Sequence, residues 1–230
     1  MFSSQAFVIH SIPFKEADRI YTLFSREFGK ISARGRGVRK TTSKLGPHLL
    51  PLLPCTIEVV AGKEWYTITG AQAHENKLPE FGEIFFDFYQ YCTPLLLKAL
   101  PSEQENSELF DSLSLFFSHM SKKKCDILLL KSLFLMRFLE HTGHTIELDV
   151  CLRCEQKKTE YQIDIEAGGF ICKACSYEGI AVSETFRKSL KILQDPTLQY
   201  VERLEQLSLE GKEFLLSILE KFTKQRFPQW

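Results

Sequence analysis

Through about residue 75 apolar and polar positions alternate with a period of two, the spacing of half-buried strands. "AFVIHSI" is a β-rich run that stops at Pro13, and "RIYTLFS" is a second. "REFGK" reads as a tight turn with Gly29 at the position that needs a positive φ. In "KISARGRGV", Ile31, Ala33 and Gly35 fall on one face, with Ser32, Arg34 and Arg36 on the other. A loop with Gly46-Pro47 follows, then "LPCTIEVVA", a turn at Gly62-Lys63, and "EWYTITGAQ". Five short strands separated by turn signals predict a small antiparallel barrel or sandwich, and an OB-like barrel has the right size.

After Leu78-Pro79 the period changes. Phe81, Ile84, Phe85, Phe88, Cys92, Leu95 and Leu96 recur at the three- and four-residue spacing of a helix face. Leu109, Leu113, Phe116, Phe117 and Met120 repeat the signal. Segment 125–141 is apolar almost all round, which predicts a buried central helix, with Gly143 as its C-terminal cap. Further on, Ser183 is placed to cap a helix carrying Phe186, Leu190 and Leu193. A last helix would carry Phe214, Leu215, Ile218, Leu219 and Phe222. The expected class is α+β: a β barrel, then a helical body with a small cysteine-bearing insertion.

Composition agrees with an ordinary globular protein: 44% hydrophobic, 12% aromatic and 25% charged residues, with 19 Phe to fill cores. No basic segment followed by a long apolar run opens the chain, so no signal peptide is expected. The most apolar stretch, Ile127 to Leu139, contains Lys131 and Arg137 and is too short to span a bilayer. A cytoplasmic protein is the expectation.

Seven cysteines divide into two kinds. Cys55, Cys92 and Cys125 stand singly among apolar residues, as small buried hydrophobes do. Cys151 and Cys154 form one Cys-x2-Cys pair, and Cys172 and Cys175 form another after 17 residues. A two-residue gap turns both thiolates of a knuckle toward one tetrahedral ion. The spacer, with "YQIDI" and Gly168-Gly169, is long enough for a hairpin that returns the second knuckle. This spacing points to one structural zinc ion with no open coordination position; an iron centre and unmetallated or redox cysteines are the alternatives. His141 and His144 lie upstream and are not needed as ligands.

The formal charge balances at 29 basic and 29 acidic residues, but unevenly. Residues 1–80 hold 11 basic and 7 acidic side chains, 81–150 hold 6 and 10, and 151–230 hold 12 of each. "KISARGRGVRKTTSK" carries Lys30, Arg34, Arg36, Arg39, Lys40 and Lys44 with no acid. A solvated basic strand would explain this, and so would a face that binds a polyanion. Gly35 and Gly37 would then let a backbone approach closely. Tyr21, Phe24, Phe28, Trp65 and Tyr66 are the aromatics from which a stacking surface could be drawn, most of them expected in the core.

Two separated segments resemble one family. "PFKEADRIYTLFSREFGKISARGRGVRK", with "LGPHLLPLLPCTIEV" after it, is similar to the N-terminal part of the bacterial RecO recombination mediators. "CLRCEQ…AGGFICKAC" looks like the cysteine element of those members that keep their zinc. The order matches over residues 1–176, and the remainder matches in helical character. The resemblance implies an OB-fold domain over 1–79, a helical domain over 80–150, a zinc element over 151–176 and C-terminal helices over 177–230. It implies binding of single- and double-stranded DNA, annealing of complementary strands, and help in loading RecA. Implied partners are RecR and the acidic tail of single-strand-binding protein, with RecF as a further candidate, in the cytoplasm at the nucleoid. Lys30, Arg34, Arg36, Arg39, Lys40 and Lys44 would line the DNA path. Helices around Arg187, Lys188 and Lys191 are candidates for receiving the acidic tail.

The absence of excess positive charge departs from a strong DNA binder. No Walker A loop, HExxH or nucleophile elbow is present, so no enzyme is expected, and Glu16 and Asp18 read as partners in surface salt bridges rather than as a metal centre. A zinc-ribbon protein–protein interaction module without DNA binding is the alternative; it predicts no salt-dependent binding. A nuclease would instead cleave DNA in the presence of metal.

Overall fold

The computed structural model describes residues 1–74, 82–120, 126–176, 178–197 and 200–230. Leu78-Pro79, Phe81 and Cys125, and the side chains of Phe117 and Met120, lie outside the described residues. The chain divides into two compact units, Met1–Lys124 and Cys125–Trp230.

The first unit opens with five strands: β1 (Phe2–Phe14), β2 (Asp18–Ser25), β3 (Gly29–Gly35), β4 (Pro54–Val60) and β5 (Tyr66–Ala73). They close into a barrel in the order β1-β2-β3-β5-β4. Every ladder is antiparallel except β3–β5, which is parallel. An odd number of strands cannot alternate direction all the way round a ring, so one seam must be parallel. The alternation read along the chain becomes the interior: Ala6, Val8, Tyr21, Leu23, Ile31, Ala33, Cys55, Ile57, Val59 and Ile68 are buried together. Gly29 makes the β2–β3 turn at φ +64°, as expected.

β1 runs past Pro13 to Phe14. Only its first half, Phe2 to Phe7, pairs with β4, so the missing N–H of Pro13 falls where β1 has a partner on one side alone. A register shift between Val8 and His10 lets both faces of β1 be buried near Ile9. Phe7 packs on Phe110 at 4.7 Å, and the Tyr89 hydroxyl donates to the Ile9 carbonyl at 3.1 Å. Those partners lie on α1 (Gly82–Ala99) and α2 (Ser107–Met120), which cover this side of the barrel. Phe85, Phe88, Cys92, Leu95 and Leu96 face inward as expected. Ile84 does not; it is 41% exposed, at the first turn of α1, where the helix has less to pack against.

The second unit is built on α3 (Ile127–His141), buried from Ser132 to Leu139. Asp126 caps it, accepting from Leu128 N and Leu129 N. Gly143, at φ +80°, ends it; its N–H donates to Glu140 O and that of His144 to Leu139 O, the paired bonds of a Schellman cap. α4 (Glu184–Gln194) and α5 (Leu209–Arg226) pack on α3, with Ser183 and Ser208 as caps. Buried Arg137 donates to Glu140 Oε2 at 2.7 Å, to Gln194 O at 3.1 Å and to Asp195 O. One guanidinium thus satisfies the carbonyls at the end of α4. Between α3 and α4, strands β6 (Tyr161–Asp164), β7 (Gly169–Cys172) and β8 (Ile180–Ala181) form a sheet in the order β7-β6-β8. Among the described residues, no helix is long and apolar enough to cross a membrane.

Candidate cysteine centre and basic barrel face

The predicted hairpin, β6–β7, turns through Gly168 and returns Cys172 to the level of the first knuckle. The sulfurs of Cys151, Cys154, Cys172 and Cys175 lie within 4.8 Å of one another. Cys154 and Cys172 are 3.9 Å apart, close to the roughly 3.8 Å edge that a tetrahedron with zinc–sulfur bonds of about 2.3 Å requires. Each knuckle is braced by its backbone. Glu155 N donates to Cys151 O at 2.8 Å, and Cys175 N to Cys172 O at 2.9 Å. Arg153 Nη1 ties the knuckles together through Cys175 O at 2.7 Å.

Cys151 and Cys175 are shifted in opposite directions. Burial pushes the Cys151 thiol up, but N–H groups of Cys172, Cys154 and Arg153 aim at its sulfur and bring it down to about 6. Cys175, hydrogen-bonded to Cys172 first, partly desolvated, hydrogen-bonded also to Cys154 and Cys151 and facing the Cys151 thiolate, is pushed up to about 12. A cation at the centre would remove that opposition, so four convergent sulfurs suit a thiophilic ion. Among the described residues the group that could hold a metal consists of these four; His141 and His144 are not part of it. His144 stacks edge-on to Phe227, and burial and then Arg226 hold its imidazole below the ordinary value. Cys55 and Cys92 are buried singly, and burial alone raises Cys55 to about 12.

The basic segment divides when folded. Ile31, Ala33 and Gly35 point inward; Ser32 and Arg36 are exposed and Arg34 half-buried. Arg36, Arg39, Lys40 and Lys44 are exposed. Lys30 is half-buried, its ammonium donating to the Leu97 carbonyl near the end of α1, and burial lowers its pKa. Arg34 has a protein partner: its Nε donates to Asp18 Oδ2 at 2.8 Å and its Nη2 to the same oxygen. Gly37 N donates to the other carboxylate oxygen at 2.8 Å. That N–H first, and Arg34 next, hold the Asp18 carboxyl below the usual range. Asp18 is therefore a salt-bridge residue, as its spacing suggested, but a buried one.

Gly35 has a different reason from the one expected. A Cβ there would come within 2.8 Å of both the Tyr21 ring and Val38 Cγ1, so the interior, not an incoming backbone, demands glycine. Tyr21 and Phe24 are core residues, and Phe28 packs on Phe2 at 4.1 Å. Trp65 is half exposed and stands edge-on to Phe14 at 5.3 Å. Arg34 and Lys15 lie over the Phe14 ring at 5.2 and 5.5 Å. Sequence reasoning missed Phe14 and Lys15; their place beside the expected β1 terminus was the available signal. Of the candidate tail-binding residues, Arg187 covers the Tyr161 ring at 5.0 Å, Lys188 pairs with Glu184 and Lys191 with Asp149.

Comparison with known proteins accounts for nearly the whole chain. Residues 1–76 match the family model described as Recombination protein O N terminal, and residues 88–229 match Recombination protein O C terminal. The chain is similar to the DNA repair protein RecO of Clostridium acetobutylicum, 27% identical with 99% of this chain and 93% of that protein covered. It is similar to that of Dehalococcoides mccartyi, strain BAV1, at 29% identity, covering 98% and 94%. A RecO protein of Bacillus pumilus is 29% identical over 76% of this chain and 68% of its own. The closed barrel lies within the N-terminal match and the cysteine cluster within the C-terminal match, and the chain belongs to the recombination protein O family.

Proposed function

We propose that this protein serves DNA repair and recombination as a mediator that holds DNA on the barrel. It binds single- and double-stranded DNA, anneals complementary strands, and with RecR helps to load RecA on strands coated by single-strand-binding protein. The observation that carries the reading is the run of exposed cations Arg36, Arg39, Lys40 and Lys44 beyond β3, on a barrel whose outer β2–β3 face is the surface OB-folds use for oligonucleotides. Lys30 and Arg34 flank that run; their internal partners make them supports of the path. RecR, the acidic tail of single-strand-binding protein and RecF are the proposed partners, in the cytoplasm at the nucleoid. Domains of 1–79, 80–150, 151–176 and 177–230 are the proposed division of labour, and no catalytic reaction is assigned. One zinc ion on Cys151, Cys154, Cys172 and Cys175 would hold the insertion in shape, supported by the four convergent sulfurs.

Annealing needs strands held with their charge screened and their bases free. Four phosphate contacts would give single-strand affinity a log–log salt slope of about −3. Anisotropy of a labelled oligonucleotide against salt tests this. Arg36→Ala/Lys40→Ala is expected to bind more weakly with a slope shallower by about 1 to 2. Equal binding and slope in the two proteins would refute the proposed path.

A further inference from the structure

On the barrel, one indole joins a set of aromatic and charged groups to a groove. The parallel seam sets Ala33 opposite Tyr66 and Arg34 opposite Thr67, which brings Trp65, just before β5, alongside the outer face of β3. Beside Trp65 is the set built on Asp18: the carboxylate holds Arg34, Arg34 lies over Phe14, and Phe14 meets Trp65 at an interplanar angle of 75°. This chain of contacts orients the indole before any ligand arrives. Exposed Lys15 and Arg36 adjoin this set, Lys15 over the Phe14 ring and Arg36 in a cleft with Asp18 and Arg34. Trp65 also lines a groove of about 410 Å³, together with Lys30, Ser32, Lys63, Glu64 and Glu103. The loop after α1 supplies its far wall, where Glu103 N donates to Lys30 O at 2.9 Å.

The formal charges of this groove cancel, Lys30 and Lys63 against Glu64 and Glu103, so it offers a phosphate no net attraction, whereas an uncharged nucleobase would meet an indole and a ring of donors and acceptors. The cations outside repel nothing that a phosphodiester carries. We propose that this groove is a nucleobase site: one unstacked base of a single strand lies against Trp65, its edge among Ser32, Glu64 and Glu103, while the adjoining phosphates follow Lys15 and Arg36. The site rests on the polyanion reading of the barrel and deepens it, because a duplex has no unstacked base to offer. Carboxylate acceptors suit bases with exocyclic amino groups, so cytosine is the probe of choice.

The test compares labelled oligo(dC) with an abasic deoxyribose-phosphate chain of equal length, on the full protein. Stacking of a base on an aromatic side chain contributes about 1–3 kcal/mol, so wild type should prefer oligo(dC) by about 5- to 150-fold. Trp65→Ala should lose that preference while its affinity for the abasic chain and its salt slope stay at the wild-type values. Trp65→Phe, which keeps a stacking face, should restore part of it. In a Trp230→Phe background, where Trp65 is the remaining tryptophan, oligo(dC) should quench emission and the abasic chain should not. Equal preference in wild type and Trp65→Ala, or unquenched emission in the oligo(dC) complex, overturns the base site and leaves the polyanion reading standing. Failure to bind either chain overturns both.

Discussion

The barrel and the cysteine-bearing sheet are both small β structures, yet they keep their shape by different means. The barrel closes on itself, leaves the end of β1 without a second partner, and encloses a core contributed by all five strands. The other sheet has strands of four, four and two residues, too short for an independent core. Tyr161, Ile163, Phe170 and Ile171 are buried there, but the segment before β6 and the end of β7 converge on four sulfurs rather than on apolar side chains. A closed hydrogen-bonded ring with packed side chains needs no cofactor. An open sheet of ten residues would take its rigidity from an ion held by those four sulfurs.

Removing the metal should break the comparison most sharply. A structural zinc site supplies about 10–16 kcal/mol of apparent binding free energy. Cys172→Ser, or treatment with a chelator, is therefore expected to abolish bound metal and to open hydrogen exchange across Tyr161–Cys172, leaving amides of β1 to β5 protected. Exchange that rises equally in the barrel would show that the two regions share one stability. Conversely, Leu23→Ala, at a wholly buried barrel position, should cost about 2–5 kcal/mol in a denaturant titration. Its metal content by atomic absorption should remain that of wild type; loss of metal would contradict the separation.

Within the barrel, Asp18 gives a smaller and pH-dependent effect. Its folded carboxyl titrates below its ordinary value, so the stability it contributes is complete above the unfolded value of about 4 and is lost as pH falls through the lower, folded value. Asp18→Asn should cost about 1–3 kcal/mol at neutral pH and should flatten the acid side of the stability curve. Chemical denaturation across pH measures both, and superimposable acid limbs would mean the Arg34 pair contributes nothing. The smallest change lies outside both β structures. Gly143→Ala, at the left-handed end of α3, should lower stability by about 1 kcal/mol in thermal melts while leaving metal content alone.

How much of this was legible follows from the range of each interaction. The strand alternation, the Gly29 turn, the Ser183 cap, the Gly143 stop and the two Cys-x2-Cys knuckles are each specified within a few neighbouring residues, and each appears in the fold where it was read. The extension of β1 through Pro13 was not legible, because it depends on which side of the strand lacks a partner. Nor was the outward turn of Ile84, whose spacing matches the buried face but whose place at the helix start leaves it uncovered.

The candidate DNA face shows the same division in its charges. Composition and spacing by themselves determined that a basic segment follows a Gly-Lys turn, that its side chains alternate, and that four cysteines can share one ion, since all of these depend on residue type and short separations. Only the tertiary structure decided which cations remain open. Barrel closure carries Asp18 to Arg34 and Gly37, and the last turn of α1 carries Leu97 O to Lys30. It likewise brings Phe14 to Trp65 across a parallel seam that no local pattern specifies. A charge is free or paired according to what long-range packing sets beside it, and that is a property of the closed barrel rather than of any segment of the chain.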